Sequence, residues 1–138
     1  MDHHRYDHLF RDRCLELGLP FDRVKAFAMA VSQLNLEFNE PDEVTRRVGV
    51  MAVPESEAID FGVLPGDLIN PAKNIEAGCQ RVAAILREMT HVLPEWRRYE
   101  WVFLSYMEGW ARQFSFVDEY YFNLEQIRRE FSCRDTAN

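Results

Sequence analysis

Apolar residues recur every three or four positions through most of this chain, and glycine or proline interrupts each run, a pattern that restricts the fold to packed amphipathic helices. Leu9, Phe10, Cys14 and Leu17 form the first stripe, which Gly18 closes. Pro20 and Asp22 open a second helix, lined by Val24, Phe27, Ala28, Val31 and Leu34 and expected to run to Asn35. From Asn35 to Val48 the pattern breaks up around Asn39, Pro41 and Thr45, which predicts a loop with at most a short extended piece. Pro54, followed by Glu55 and Glu57, suits the first turn of a short third helix, where fixed φ and negative charge are both favourable. The glycines and prolines between Gly62 and Pro71 make that stretch a connection.

Ile75, Gly78, Cys79, Val82, Ile85, Leu86 and Met89 then mark what reads as the longest amphipathic helix. Beyond Pro94, the segment from Tyr99 to Phe114 is apolar on nearly every side, through Trp101, Val102, Phe103, Leu104, Tyr106 and Met107. A helix of that kind is expected at the buried centre. Val117, Tyr121, Leu124, Ile127 and Phe131 define a last helix, about residues 116–132. Strand signals are nearly absent. The expected class is therefore all-α, with residues 1–138 forming a single domain.

Composition bounds the function. Sixteen Lys and Arg stand against 23 Asp and Glu, a net charge of -7. Such a chain lacks the basic stripe that a phosphate-tracking nucleic-acid binder needs, and it fits poorly with anionic lipid or an anionic wall polymer. No run approaches the roughly 20 apolar residues of a membrane span, and Met1 to Arg13 is rich in charge and histidine, so no signal peptide and synthesis in a cytoplasm are expected. Cys14, Cys79 and Cys133 are widely spaced and read as reduced, buried thiols. His3, His4 and His8 are close in sequence, but a solvated terminus explains them, and neither metal nor cofactor is assigned.

Three short patterns follow one another in order: Gly49-Val50-Met51-Ala52-Val53-Pro54, then Asn70-Pro71-Ala72-Lys73-Asn74-Ile75-Glu76-Ala77-Gly78, then Leu104-Ser105-Tyr106-Met107-Glu108-Gly109. Together they resemble the soluble lytic transglycosylases, the goose-type-lysozyme-like family. The resemblance covers about residues 18–110 and implies a lysozyme-like helical domain, with the helix at 116–132 as an addition. It also implies a groove for peptidoglycan, cleaved at its β-1,4 link by one glutamate that serves first as acid and then as base.

In that family the acid stands in a Glu-Ser-x-Phe-Asn-Pro motif. Read without a gap from Gly18, the matching residues here are Val31, Ser32, Gln33, Leu34 and Asn35, which puts Val31 at the catalytic position. A second registration, pinned on Phe38 and Asn39, puts Asn35 there. Neither side chain can donate and recover a proton, and loss of positioned acid–base catalysis costs about 10²–10⁴-fold in rate. The family's glutamine after Met51 is Ala52, and its asparagine after Tyr106 is Met107, so sugar-binding polarity is lost alongside the acid.

Three carboxylates could stand in. Glu37 borders the expected groove but lies closer to Gly49 than the family's acid does, Glu55 sits at a helix start, and Glu108 is expected to pair with Arg112 four residues on. Tyr106 reads either as a core aromatic or as a sugar platform, and Trp96, Trp101 and Trp110 either as packing or as stacking surfaces. The opening Tyr6-Asp7-x-Leu9-Phe10 resembles the start of the transglycosylase domain in internal virion proteins of short-tailed bacteriophages.

The leading expectation is a catalytically inactive, transglycosylase-like module of a phage virion with protein partners. The alternatives are an active muramidase using Glu37 and a non-cleaving peptidoglycan binder. Residues Met51, Ala52, Tyr106, Met107 and Glu108 form the expected groove.

Overall fold

The computed structural model describes residues 3–137, with side chains through residue 130, so Phe131 and Cys133 lie outside the described side chains. Five α-helices carry the fold: α1 (Asp7–Leu17), α2 (Phe21–Ser32), α3 (Pro71–Glu88), α4 (Glu95–Tyr106) and α5 (Phe116–Ala137). Three 3-10 turns of helix, Glu55–Phe61, Pro65–Ile69 and Ala111–Phe114, fill the connections. The class is all-α, as the apolar spacing predicts. Among the described residues no helix is long and apolar enough to cross a membrane.

The helix boundaries follow from local chemistry. Gly18 takes a left-handed φ of 69° and its N–H bonds the Cys14 carbonyl, closing α1. The Asn70 side chain accepts the Lys73 N–H while Pro71 occupies the first turn of α3, where a missing N–H costs nothing. Pro20 and Pro94 stand immediately before α2 and α4.

Where a loop is expected, the chain forms a small antiparallel sheet of β1 (Asn39–Pro41), β2 (Arg46–Val48) and β3 (Val53–Pro54) in that order. Asn39 faces Val48 across the first pair, and Val48 faces Val53 across the second. Strands of two or three residues are too short to show alternation, which is why spacing did not reveal them.

Three further expectations are corrected. Helix α4 is not the central one: it stops at Tyr106, and Trp101 is 40% exposed on its outer face. The central helix is α2, in which Arg23 to Ala28, Ala30, Val31 and Ser32 are all buried. Helix α5 covers it along its length and is longer than α3. Helix α2 itself ends at Ser32, three residues earlier than expected, because Gln33 and Leu34 both enter the left-handed region at φ 55° and 58°.

A cluster of aromatic rings joins three of the helices. Phe27 of α2 stacks on Phe103 of α4 at 4.3 Å and 6°, and meets Tyr106 and Phe116 edge-on at 5.0 and 6.0 Å. Phe103 in turn contacts Tyr120 of α5 at 5.2 Å.

Candidate functional site

The motif segments meet in one place, and glycines decide how closely. Gly49 has φ 80°, and a methyl group there would come within 2.7 Å of the Leu68 carbonyl and collide with the Asn74 side chain. That space admits Asn74, whose Oδ1 accepts the Met51 N–H at 2.8 Å and whose Nδ2 donates to the carbonyls of Val48 and Leu68 at 2.8 and 2.9 Å. All of the amide's main capacity is thereby used inside the core. Gly78 leaves room for Met51 in the same way, since a Cβ there would lie 2.6 Å from Met51 Cβ. The Tyr106 hydroxyl donates to the Met51 carbonyl at 2.7 Å. Gly49, Met51, Asn74, Gly78 and Tyr106 thus form one interlocked unit drawn from three motifs.

The end of α2 joins this unit through Ser32. Its Oγ lies within reach of the Ala28 carbonyl at 3.0 Å and of the Val50 carbonyl, and accepts the Leu34 N–H at 3.1 Å. This hydroxyl holds the turn in which Gln33 and Leu34 adopt positive φ. Beside it Val31 is 1% exposed, and Met51, Ala52, Tyr106 and Met107 have no exposed surface at all. Burial, against the opposing fields of Arg81 and Arg47, pushes the Tyr106 hydroxyl well above its ordinary value of 10. At neutral pH this phenol is a hydrogen-bond donor locked onto the chain.

The carboxylates named as stand-ins lie elsewhere. Glu37, Glu55 and Glu108 are exposed, while Val31 is enclosed. Asn35 is exposed too, and its Oδ1 accepts the Glu37 N–H at 3.0 Å in a local turn. Glu108 lies beyond the end of α4 and Arg112 pairs with Glu40 at 2.9 Å, so the expected Glu108–Arg112 pair is replaced. Trp110 is buried with its Nε1 donating to Glu40 at 3.0 Å, whereas Trp96 and Trp101 are exposed. Cys14 and Cys79 are buried free thiols, and the contact with Cys14 together with burial raises Cys79 well above its ordinary 9.0.

Two arginines converge on the end of α4, and sequence reasoning missed both. Arg47 donates to the Tyr106 carbonyl at 2.7 Å, to the Glu108 carbonyl at 3.1 Å and to the Asp42 carboxylate at 2.6 Å. Arg81 donates to the same Tyr106 carbonyl at 2.6 Å and forks onto Glu57 at 3.2–3.3 Å. Cationic donors at a helix C-terminus satisfy orphan carbonyls and offset the negative end of the dipole. Burial alone would raise the Asp42 carboxyl, but N–H donors from Thr45 and Val44 and the Arg47 guanidinium outweigh it and leave the pKa below its ordinary 3.8.

An open cleft of about 500 Å³ lies over this cap, with Asp42, Glu57, Arg81, Ser105 and Glu108 among its walls. It adjoins a second of about 410 Å³ that runs past Pro41, Trp110 and Phe114. Asp42 is held ionised, and both arginines are consumed by the protein's own carbonyls and carboxylates. The carboxylates of Glu43, Glu57 and Glu108 also line this cleft. Arg81 did carry a sequence signal, for it stands on the apolar stripe of α3 beside Gly78 and Val82, where a charge demands a partner.

Compared with models of known families, with curated proteins and with solved structures, the chain has no match.

Proposed function

We propose that this protein is a catalytically inactive, lytic-transglycosylase-like module, associated with a bacteriophage virion and acting through contacts with other proteins. One observation carries the reading: in the gapless registration the acid's position is Val31, 1% exposed in a core that also buries Met51, Ala52, Tyr106 and Met107, and in the second it is the exposed Asn35, so neither registration offers a carboxyl group. The residues retained from the motifs support it as well. Gly49, Asn74, Gly78 and Tyr106 all do framework work, and none needs a substrate to account for its presence. The phage setting rests on the opening residues from Tyr6 to Phe10, and a net charge of -7 speaks against a wall-bound role.

The test is incubation of the pure protein with insoluble peptidoglycan, followed by mass spectrometry of the soluble fraction and by pelleting. The expected result is no released muropeptide, with the protein remaining in the supernatant. Anhydromuropeptides in the soluble fraction overturn the proposal, and co-sedimentation in their absence favours a non-cleaving binder.

A further inference from the structure

A group of polar side chains outside the motif unit joins the residues ahead of α1 to α5. The rings of His3 and His4 lie 4.1 Å apart, inclined at 43°. Glu130 of α5 spans both: one carboxylate oxygen is 3.1 Å from His3 Nε2 and the other 3.2 Å from His4 Nε2. On its other side the His4 ring meets Asp7, with Nδ1 3.0 Å from Oδ2. Lys25, 2% exposed, sits behind them, its Nζ 2.7 Å from Asp7 Oδ1 and 3.2 Å from His4 Nδ1.

We propose that His3, His4 and Glu130 bind a divalent transition-metal ion, zinc by their donor set, and that the ion fastens the start of the chain to α5. Two imidazole nitrogens and a carboxylate are ligands that zinc accepts with bonds of about 2.0–2.2 Å. Tetrahedral geometry at those bond lengths sets neighbouring donors about 3.3 Å apart, and the donor atoms of the three residues already lie within 4.8 Å of one another, so small side-chain rotations close them on one ion. A carboxylate on the far nitrogen of a ligating histidine fixes its tautomer and orientation, and Asp7 stands there for His4. In the ion-bound form the Nδ1 proton is directed to Asp7 and the Nε2 lone pair to the ion. Lys25 balances the Asp7 charge and holds that carboxylate in place.

His3 also forms part of the wall of an open cleft of about 280 Å³ with Met29, Gln33, Glu119 and Asn123, which gives an ion and a fourth ligand, water, a route in. The competing arrangement is metal-free, with each neutral ring donating its own Nε2–H to Glu130.

The experiment is calorimetric titration of tag-free, chelator-treated protein with zinc chloride, paired with the visible spectrum of the cobalt(II) form. One ion per chain and the intense absorption of four-coordinate cobalt are expected. Glu130→Gln and His4→Ala, each checked for native circular dichroism, are expected to weaken zinc by more than about 100-fold, and Asp7→Asn by about 10–100-fold. His8→Ala, exposed and outside the group, is expected to leave it unchanged. Absence of stoichiometric zinc binding, an affinity unaltered in Glu130→Gln, or the weak absorption of six-coordinate cobalt overturns the proposal. None of these outcomes depends on peptidoglycan activity, so this proposal and the functional reading fail independently.

Discussion

At position 31 the two demands of catalysis and packing are incompatible. An acid needs water and substrate beside it, whereas Val31 is shut into the core next to a turn held by Ser32. Val31→Glu therefore places a carboxyl where solvent does not reach it, and is expected to cost about 3 kcal/mol or more, read as a fall in the urea midpoint, with no release of muropeptides. A stable variant that solubilises peptidoglycan would show that the groove opens and would overturn the view that burial of position 31 closes it to a glycan. Gly78 gives a second residue-scale test with an unusual sign. Alanine in a helix interior normally gains about 1 kcal/mol over glycine. Here the added methyl meets Met51 Cβ at 2.6 Å, so Gly78→Ala is expected to lower the midpoint instead of raising it.

The elements show what was legible in the chain and what was not. Gly18 and Pro20 announced the end of α1 and the start of α2 because a helix terminus is a local event, decided by one or two residues, whereas Pro71, read as part of a connection, opens α3, and α4 starts at Glu95, directly after Pro94 and ahead of the expected Tyr99. The cap on α4 is the opposite case. Its donors Arg47 and Arg81 lie 59 and 25 residues from Tyr106, and nothing in the local pattern around Met107 indicates them. The same holds for the candidate site: the motif residues were legible, but their use as mutual packing, with Asn74 bridging Val48, Met51 and Leu68, is a three-dimensional fact. The Arg47 cap makes a prediction in pH. Asp42 is lowered in the folded chain, so its stabilisation is complete above the ordinary value of 3.8 and is lost as pH falls below it. Melting temperatures measured from pH 7 to pH 3 are expected to fall less steeply below about pH 4 in Asp42→Asn than in the wild type, from a lower start at neutral pH. Parallel curves would show that Asp42 does not couple to the fold.

For the molecule as a whole, the chain's ten phenylalanines and five tyrosines first mattered only as a reason to expect a core. The rings of Phe27, Phe103, Tyr106, Phe116 and Tyr120 now have a specific task, since they are the contacts through which α2, α4 and α5 become one body. If that is their role, stability must be shared among them. Phe27→Leu and Phe103→Leu are each expected to destabilise, and the double variant to lose less than the sum, with a coupling of about 0.5–1.5 kcal/mol from the stacked pair. Val92→Ala, fully exposed, serves as the additive control. Circular dichroism reports the helices, and tryptophan fluorescence, measured with Trp96 and Trp101 replaced by phenylalanine, reports the surroundings of Trp110, which packs beside the Arg47 cap. Coincident urea transitions by both probes, kept in every variant, would mean that the cap and the cluster unfold together. Separate transitions with zero coupling would mean instead that α5 is laid over a core already complete without it, and that the ring cluster is only contact.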